Sequence, residues 1–398
     1  MRQGWKEIEL SYFVNDFIVP QRDKPKKFDG DIPWCRIEDF NGVYLSDSKS
    51  NQNVSEKTIR EMGLKVFPIN TVIVSCSADL GKCAIIQKPL VTNQTFIGLV
   101  PSENLDSKFL YFYMMSIAKK LNEMASGATI KYLSKKKFRE LVVCFPPLPE
   151  QQRIVAILDE AFAAIDQAKA NAEKNLQNAR ELFESYLKSV FEGKSWEKKV
   201  LRDVANEFGR GKSKHRPRNW EGLYGGNYPF IQTGDVRNSD KFITEYSQTY
   251  NEVGLAQSKL WKKGTICITI AANIAETAIL DFDACIPDSI IGFEVDHMKV
   301  DLNFAYYLLQ YYKSELKGLG KGAAQDNINL GTFENQYFPF PPLPEQKRLV
   351  KLLDLLLNET KRFEILYKMK IGNLEELRKS ILQKAFAGEL KTKSVPVS

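Results

Sequence analysis

The sequence has few of the residues that build metal and redox sites. It contains only two histidines, His215 and His297, in 398 residues. Neither stands at ligand spacing from a cysteine or a carboxylate pair, so no metal site is predicted. Its six cysteines form no Cys-x-x-Cys pair, and several stand in apolar runs. We therefore expect reduced thiols packed in strands rather than disulfides.

Signals for secretion and membrane insertion are also missing. The opening Met-Arg-Gln-Gly-Trp-Lys lacks the apolar stretch of a signal peptide. No apolar run reaches the roughly 18 residues that a membrane-spanning helix requires. A cytoplasmic protein is expected, and its length allows two or three domains. The formal net charge of +7 permits a polyanionic partner without requiring one.

Complete catalytic motifs are absent as well. Gly211-Lys-Ser213 resembles the end of a phosphate-binding loop, but Asn206 stands where that loop requires a glycine. Asp159-Glu-Ala-Phe162 resembles a helicase fragment, yet no phosphate loop accompanies it. The Pro-Pro pairs occur only in Phe-Pro-Pro-Leu, not in the Asn/Asp-Pro-Pro-aromatic loop of an amino-methyltransferase. The sequence predicts a binding protein rather than an enzyme.

What the sequence does contain is a tandem repeat. Residues 145–159 recur as residues 340–354 at an offset of 195, and eleven of the fifteen positions are identical. The match continues without insertion to Gly193 and Gly388. Upstream, Gly30-Asp-Ile-Pro-Trp aligns more loosely with Gly226-Asn-Tyr-Pro-Phe. The order is therefore domain, helix, domain, helix, with diverged domains and similar helices.

Each closely matched segment predicts a long amphipathic helix. Pro149 and Pro344 suit the first helical position, and Gly193 and Gly388 suit the C-terminal cap. The roughly 42 residues between them would form a helix of ~60 Å. A seven-residue apolar pattern predicts that the two helices pair with each other, through Leu158, Ile165, Ala172, Leu182, Leu353, Phe363, Tyr367 and Leu377.

The first seam is rich in alanine and the second in bulky residues, which favours close packing of the two copies as an antiparallel coiled coil. Heptads alone also fit a coiled coil that dimerises the whole chain. The predicted fold class is α+β, with two mixed α/β domains in tandem. Their boundaries are residues 1–145 and 195–339, with helical segments at 146–194 and 340–398.

Basic residues cluster in predicted loops of both domains. Such loops on a rigid domain suit contacts with phosphates and base edges, although any one cluster also fits a solvated loop. The aromatic residues of the predicted helices at 106–120 and 302–317 are assigned to the core instead. The candidate DNA-binding residues are Lys24, Lys26, Lys27, Lys131, Lys135, Lys136, Lys137, Arg210, Lys212, Lys214, Arg216 and Arg218.

Taken together, the chain resembles the specificity subunit of a type I restriction–modification system. The resemblance is carried by the twice-occurring Phe-Pro-Pro-Leu-Pro-Glu-Gln before a long helix, by the Gly-Asp-Ile-Pro-Trp type segments, and by the segments that begin at Gly127 and Gly322. It implies that each domain is a target-recognition domain for one half of a split, asymmetric DNA sequence. Residues 146–193 and 340–390 would form the spacer.

The resemblance also implies partners. The spacer would bind modification subunits, usually two, which are similar to N6-adenine methyltransferases. It would also bind restriction subunits where these exist. This chain would bind no cofactor, and S-adenosylmethionine, ATP and Mg would belong to the partners. The alternative is a coiled-coil scaffold with two protein-binding heads. Affinity for duplex DNA that falls steeply with salt would distinguish the specificity subunit from the scaffold.

Overall fold

The structure is a computed structural model that describes residues 5–20, 24–77, 79–125, 132–215, 217, 219–320 and 328–390. The chain divides into two compact units, which are described separately. The first comprises Met1–Glu173 and Met369–Ser398, and the second is Lys174–Lys368. Each unit holds one mixed α/β domain, here called a head, and one part of each of two long helices.

The first head is built on a five-stranded sheet in the order β2-β9-β6-β7-β4, beside a three-stranded sheet β5-β3-β8 and the pair β1-β10. Its strands are β1 (Lys6–Glu9), β2 (Val14–Ile18), β3 (Ile32–Cys35), β4 (Tyr44–Leu45), β5 (Asn53–Val54), β6 (Val72–Ser75), β7 (Cys83–Ile86), β8 (Val91–Thr92), β9 (Phe96–Pro101) and β10 (Val142–Phe145). Its helices are α1 (Glu56–Met62), α2 (Ser107–Ser116), α3 (Ala118–Met124) and α4 (Lys135–Arg139), and the first long helix is α5 (Leu148–Phe191).

The second head repeats this topology with a five-stranded sheet in the order β12-β20-β17-β18-β14 and a smaller sheet β15-β13-β19-β16. Its strands are β11 (Glu197–Lys199), β12 (Ala205–Arg210), β13 (Tyr224–Phe230), β14 (Phe242–Ile243), β15 (Gln248–Tyr250), β16 (Leu260–Trp261), β17 (Ile266–Thr269), β18 (Thr277–Leu280), β19 (Ala284–Cys285), β20 (Ile290–Val295) and β21 (Phe338–Phe340). Its helices are α6 (Thr233–Asn238), α7 (Glu252–Ala256), α8 (Leu302–Gly320) and α9 (Leu330–Glu334), and the second long helix is α10 (Leu343–Ala387).

The central strands are buried on both faces, which explains their continuous apolar runs. Every residue of β6 is buried. Val72 and Val74 pack in the cluster that contains α2, whereas Ile73 points into a second cluster around Phe67 and Phe96. Because successive side chains of a strand point to opposite faces, a sheet covered on both sides needs no polar alternation. This confirms the mixed α/β character predicted for the heads.

A glycine at an equivalent position of each head is required by a close backbone approach. A Cβ on Gly30 would lie 2.3 Å from the backbone of Ser55, and one on Gly226 would lie 2.3 Å from Asn251. Ser55 and Asn251 are the N-caps of α1 and α7, where their side chains accept backbone N–H bonds. The loosely matched Gly-x-x-Pro segments therefore pack against equivalent helix starts.

The repeated glutamine of Phe-Pro-Pro-Leu-Pro-Glu-Gln fastens each long helix to its head. The Gln151 amide donates to the carbonyls of Pro146 (2.9 Å) and Asn104 (3.1 Å), and it accepts from the Asp106 N–H (2.9 Å). Gln151 is 1% exposed, so its polar atoms are satisfied inside the protein. The loop before α2 is thereby fixed to the start of α5.

Gln346 makes the same three bonds in the second unit. Its amide donates to Pro341 (2.8 Å) and Lys299 (3.1 Å) and accepts from the Asp301 N–H (2.9 Å). At the other end of the long helices, Gly193 and Gly388 have φ values of +68° and +61°. That left-handed geometry is the C-terminal cap predicted for them.

The long helices pair antiparallel in the first unit. Asp166 of α5 binds Arg378 of α10 at 2.5 Å, and Lys169 binds Glu375 at 2.6 Å. Numbers that rise along one helix fall along the other, which defines the antiparallel direction. Arg378 also lies 4.5 Å from the centre of the Phe162 ring. Ionic and apolar contacts thus alternate along this part of the pair.

The second unit contains the other part of the helix pair. Arg180 of α5 binds Glu364 of α10 at 3.1 Å. Leu187 and Val190 pack in one cluster with Leu349 and Leu353, together with residues of the second head. The helices therefore share a hydrophobic core with the head beside them, and the predicted helix pairing is confirmed.

Three predicted seam residues lie elsewhere. Leu158, Ile165, Ala172 and Leu353 are buried and Tyr367 is half-buried, but Leu182, Phe363 and Leu377 are 57%, 42% and 47% exposed. In the structure, the second seam position of each seven-residue repeat follows the first by four residues rather than three. The residues at this second position are Phe162, Lys169, Leu176, Phe183, Leu357, Glu364, Ile371 and Arg378. Because Glu364 and Arg378 bury their stems while pairing across the seam, apolar spacing alone favoured the wrong row.

Candidate nucleic-acid interface

The first head carries its basic loop between β2 and β3. Lys24, Lys26 and Lys27 are exposed there. The Lys24 ammonium lies 5.7 Å from the ring centres of both Phe28 and Trp34, which holds it over an aromatic surface. Within the described residues, Lys26 and Lys27 form no ion pair. Their charges are available to an anion.

The second head carries a basic loop between β12 and β13. Arg210 is used within the protein, because its guanidinium donates to the carbonyl of Asp288 at 2.8 Å. Lys212 and Lys214 are exposed and make no ion pair in the part of the chain that the structure describes. Gly211 packs against the backbone of Ile286, where a Cβ would lie 2.2 Å from the carbonyl oxygen. The base of the loop is therefore rigid.

These two loops occupy equivalent places in the two heads. β2 and β12 are the edge strands of matching five-stranded sheets, and β3 and β13 belong to the matching smaller sheets. Each loop connects the one strand to the other. Their sequences differ, but both are rich in lysine and arginine. The duplicated fold thus presents a cationic loop at the same position of each head.

A stacked aromatic pair in the second loop, with one exposed ring, was missed by the sequence analysis. The rings of His215 and Trp220 stack with centres 4.7 Å apart at an angle of 16°. His215 Nδ1 lies 3.2 Å from the Pro217 carbonyl, which only accepts, so this nitrogen carries the proton. Gly222 lets the indole lie against the backbone, and Trp220 remains 46% exposed. A tryptophan among arginines and lysines was the available indication.

The lysines of α4 form a third cluster, and they are partly engaged. Lys135 lies 4.0 Å from Asp16, and Lys136 lies 3.8 Å from Glu140. Lys137 donates to the carbonyl of Met124 at 2.5 Å. The corresponding helix α9, Leu-Gly-Thr-Phe-Glu, has no basic residue. This cluster is therefore particular to the first head. Lys131, Arg216 and Arg218 lie outside the described residues.

The cysteines do not form a reactive site in the described residues. Burial raises the pKa of Cys35 to about 12 and that of Cys76 to about 11, so both thiols stay protonated. Cys144 is exposed, unlike the packed thiols expected from the sequence. It alternates with buried Val143 and Phe145 because β10 buries only one face. Among all the residues that the structure describes, no cluster of potential metal ligands occurs.

None of the described helices combines the length and the apolar composition needed to cross a membrane. The cationic loops lie on the heads, between β2 and β3 in the first head and between β12 and β13 in the second.

Comparisons with known proteins agree with this organisation. The family model described as the type I restriction modification DNA specificity domain matches twice, over residues 5–176 and 193–368. The MjaIX type I restriction enzyme specificity subunit of Methanocaldococcus jannaschii is 25% identical over 391 residues, which cover 92% of this chain and 88% of that protein.

Two solved structures share the fold. One, from a study of complex assembly and conformational transition of the type I R-M system, has a TM-score of 0.78 at 19% identity and covers 98% of this chain and 99% of its own. The other, the HsdS subunit of Thermoanaerobacter tengcongensis, has a TM-score of 0.62 at 18% identity, with 98% of both chains covered. With both repeats matched by the family model, the chain belongs to the type I restriction modification DNA specificity family and is a non-catalytic specificity subunit.

Proposed function

We propose that this chain reads a split, asymmetric DNA sequence, with one half-site bound by each head. The observation that carries the proposal is the pair of basic loops at equivalent places of two heads that otherwise differ in sequence. Equivalent loops would approach the duplex in the same way. Different side chains on them would select different bases.

The basic residues divide by their contacts. Lys26, Lys27, Lys212 and Lys214 are exposed and suit phosphate contacts, whereas Arg210 is already bound to Asp288. The flat Trp220 surface suits an apolar contact with a base or sugar beside those phosphates. Lys131, Arg216 and Arg218 stay predictions from the sequence. The lysines of α4 would add affinity in the first head only.

The helices would dock the partner subunits. In the second unit, α10 exposes the large apolar side chains of Leu352, Leu355, Phe363 and Leu366. Exposed apolar side chains on one helix suit a protein partner. We assign this surface of α10 to the docking of a modification subunit. The modification subunit would bind S-adenosylmethionine, and restriction subunits would bind ATP and Mg. The complex would act on DNA in the cytoplasm.

The proposal is tested by measuring DNA binding against salt. The chain is co-expressed with its modification subunits, and its affinity for duplex DNA is titrated from low to moderate KCl. Each phosphate contact contributes ~0.9 to the slope of log K against log salt. The double variant Lys212→Ala/Lys214→Ala should therefore reduce the slope by ~2, as should Lys26→Ala/Lys27→Ala.

The control variant Lys198→Ala/Lys199→Ala removes the same charge from β11, which belongs to a different sheet. It should leave the salt slope unchanged. A wild-type complex whose DNA affinity is absent or insensitive to salt would favour the scaffold with two protein-binding heads instead.

Tryptophan fluorescence gives an independent measurement of contact at the second loop. Trp34 and Trp261 are 4% and 1% exposed, Trp5 and Trp196 are half-buried, and Trp220 is 46% exposed. Duplex DNA should therefore protect part of the fluorescence from acrylamide quenching, and Trp220→Phe should abolish that protection. Protection that persists in Trp220→Phe would place the contact elsewhere.

A further inference from the structure

Each long helix carries an aspartate at the same position of the repeat, and each aspartate binds a lysine of the preceding head. Asp159 Oδ2 lies 2.5 Å from Lys108 Nζ. Asp354 Oδ1 lies 2.7 Å from Lys241 Nζ. Asp159 opens the Asp-Glu-Ala-Phe segment that resembles a helicase fragment in the sequence. Its contact with the head gives this residue a different role.

The two lysines come from different parts of their heads. Lys108 lies in α2, whereas Lys241 immediately precedes β14. At the repeat offset of 195, the position equivalent to Lys108 is occupied by Asn303. The aspartate therefore belongs to the repeated helix, but each head supplies its lysine from its own site. Both heads therefore supply a lysine to this aspartate, although from different elements. This indicates that an ion pair is required at the aspartate position.

The surroundings strengthen both pairs. The Lys241 side chain is 14% exposed, and its Nζ lies 4.8 Å from the centre of the Tyr307 ring. The Tyr307 hydroxyl donates to the same Asp354 oxygen at 2.5 Å. In the first head, Lys108 Nζ lies 5.9 Å from the centre of the Tyr44 ring. A partly buried, hydrogen-bonded pair fixes a geometry better than an exposed one.

The aspartates form a second point of attachment for each helix. The first is the buried glutamine, Gln151 or Gln346, at the helix start. Eight residues separate glutamine from aspartate, which is ~12 Å along a helix. One attachment would let a head pivot on its helix, whereas two that are separated along the axis fix the angle between them.

We propose that Asp159–Lys108 and Asp354–Lys241 are positioning pairs that set the tilt of each head on its helix, and through it the gap tolerated between the two half-sites. This inference rests on the proposed function, in which the helices space two DNA-reading heads. In this role the pairs need no contact with DNA or with a reacting group. They act through the orientation of the head.

The test is a methylome of cells that express the chain with its modification subunits and no other adenine methyltransferase. Asp354→Asn keeps the shape of the side chain and removes its charge. We expect unchanged half-site bases but a relaxed gap, so that the preference for the natural gap over one that is a base pair longer or shorter falls ~tenfold, which corresponds to about 1.4 kcal/mol. Lys241→Gln should give the same relaxation.

Two further variants separate positioning from general stability. Glu376→Gln breaks an ion pair that α10 makes within itself, with Lys379, and should leave the gap preference unchanged. The double variant Asp354→Asn/Lys241→Gln should be no more relaxed than either single variant if the pair acts as a unit. Asp159→Asn should relax the gap through the first head, and it provides the measurement if position 354 does not tolerate substitution.

An unchanged gap preference in these variants, with methylation intact or uniformly reduced, would overturn the positioning role. Altered half-site bases would overturn it as well, because base reading would then depend on these residues. A wild-type complex that methylates no split motif would contradict the proposed function itself, and that result is distinguishable from either of the others.

Discussion

Glu276 is a carboxylate in the second head that is held by two lysines of one helix. Its oxygens lie 2.7 Å from Lys313 and 3.0 Å from Lys317 of α8, and its side chain is 18% exposed. Burial acts to raise the pKa of Glu276, but the hydrogen bonds and charges of the two lysines outweigh it, so the pKa lies below the ordinary value. Glu276 immediately precedes strand β18, so the start of that strand is joined to helix α8 by charge.

This arrangement predicts a pH-dependent contribution to stability. A carboxyl group whose folded pKa is below its unfolded value stabilises the fold above the unfolded pKa, and this stabilisation is lost as the pH falls through the folded pKa. Glu276→Gln should therefore lower the free energy of unfolding at pH 7 by about 1–3 kcal/mol. Below about pH 4, the ordinary value for glutamate, the difference should shrink.

Urea denaturation at pH 7 and at pH 3.5 measures the difference directly. The control is Glu56→Gln, since Glu56 is 77% exposed and its pair with Arg60 is 3.9 Å long. A deficit in Glu276→Gln that is equally large at both pH values would show that the lost packing, and not the charge, is responsible.

At this scale, composition predicted where the cations cluster but not which of them are free. Arg210 and Lys212 look alike in the sequence, yet a carbonyl binds the first and the second is exposed. Such contacts depend on backbone brought in from distant parts of the chain. Trp220 was missed because only the charged residues of the basic loops were considered as contacts in the sequence.

The helices show what periodicity can and cannot predict. Their ends lie within a few residues of the predicted bounds, because proline and glycine act locally. Their contact face depends on the partner helix, which local spacing does not contain. Residues three and four positions apart lie on the same side of a helix, so two rows compete. The row with Phe363 and Leu377 is the more apolar on α10, but the row with Glu364 and Arg378 forms the seam.

Two leucines of α10 test which face of the helix is buried. Leu353 is fully buried in the core of the second unit, and Leu355 is 63% exposed. Leu353→Ala should lower the free energy of unfolding by about 2–5 kcal/mol because it leaves a cavity. Leu355→Ala should change it by about 0.5 kcal/mol or less. Thermal or denaturant unfolding of the two variants would contradict the assigned face if the order were reversed.

For the whole molecule, the duplication predicted the architecture well. Two heads with matching strand orders, each followed by a long helix, are what the offset of 195 implied. The strand orders themselves could not be predicted, because they depend on pairings between residues far apart in the chain, such as Ile73 with Gly98. The DNA sequence that the protein recognises could not be predicted from the amino-acid sequence either.

Divergence of the heads predicts that they can be exchanged separately. Replacing residues 195–339 with the equivalent segment of a relative should change one half of the methylated motif and leave the other half and the gap unaltered. Methylome sequencing of cells that carry the hybrid and its modification subunits measures both halves at once. Alteration of both half-motifs would contradict independent reading by the heads.

The short pairs β1-β10 and β11-β21 join the first strand of each head to its last. Lys6 is paired with Phe145, and Glu197 is paired with Phe340, immediately before a long helix begins. The chain therefore enters and leaves each head through two adjacent, paired strands. Recombination within the few codons on either side of a head would replace that head with one from a relative in a single genetic event. The recognised sequence would then change without any point mutation in the long helices.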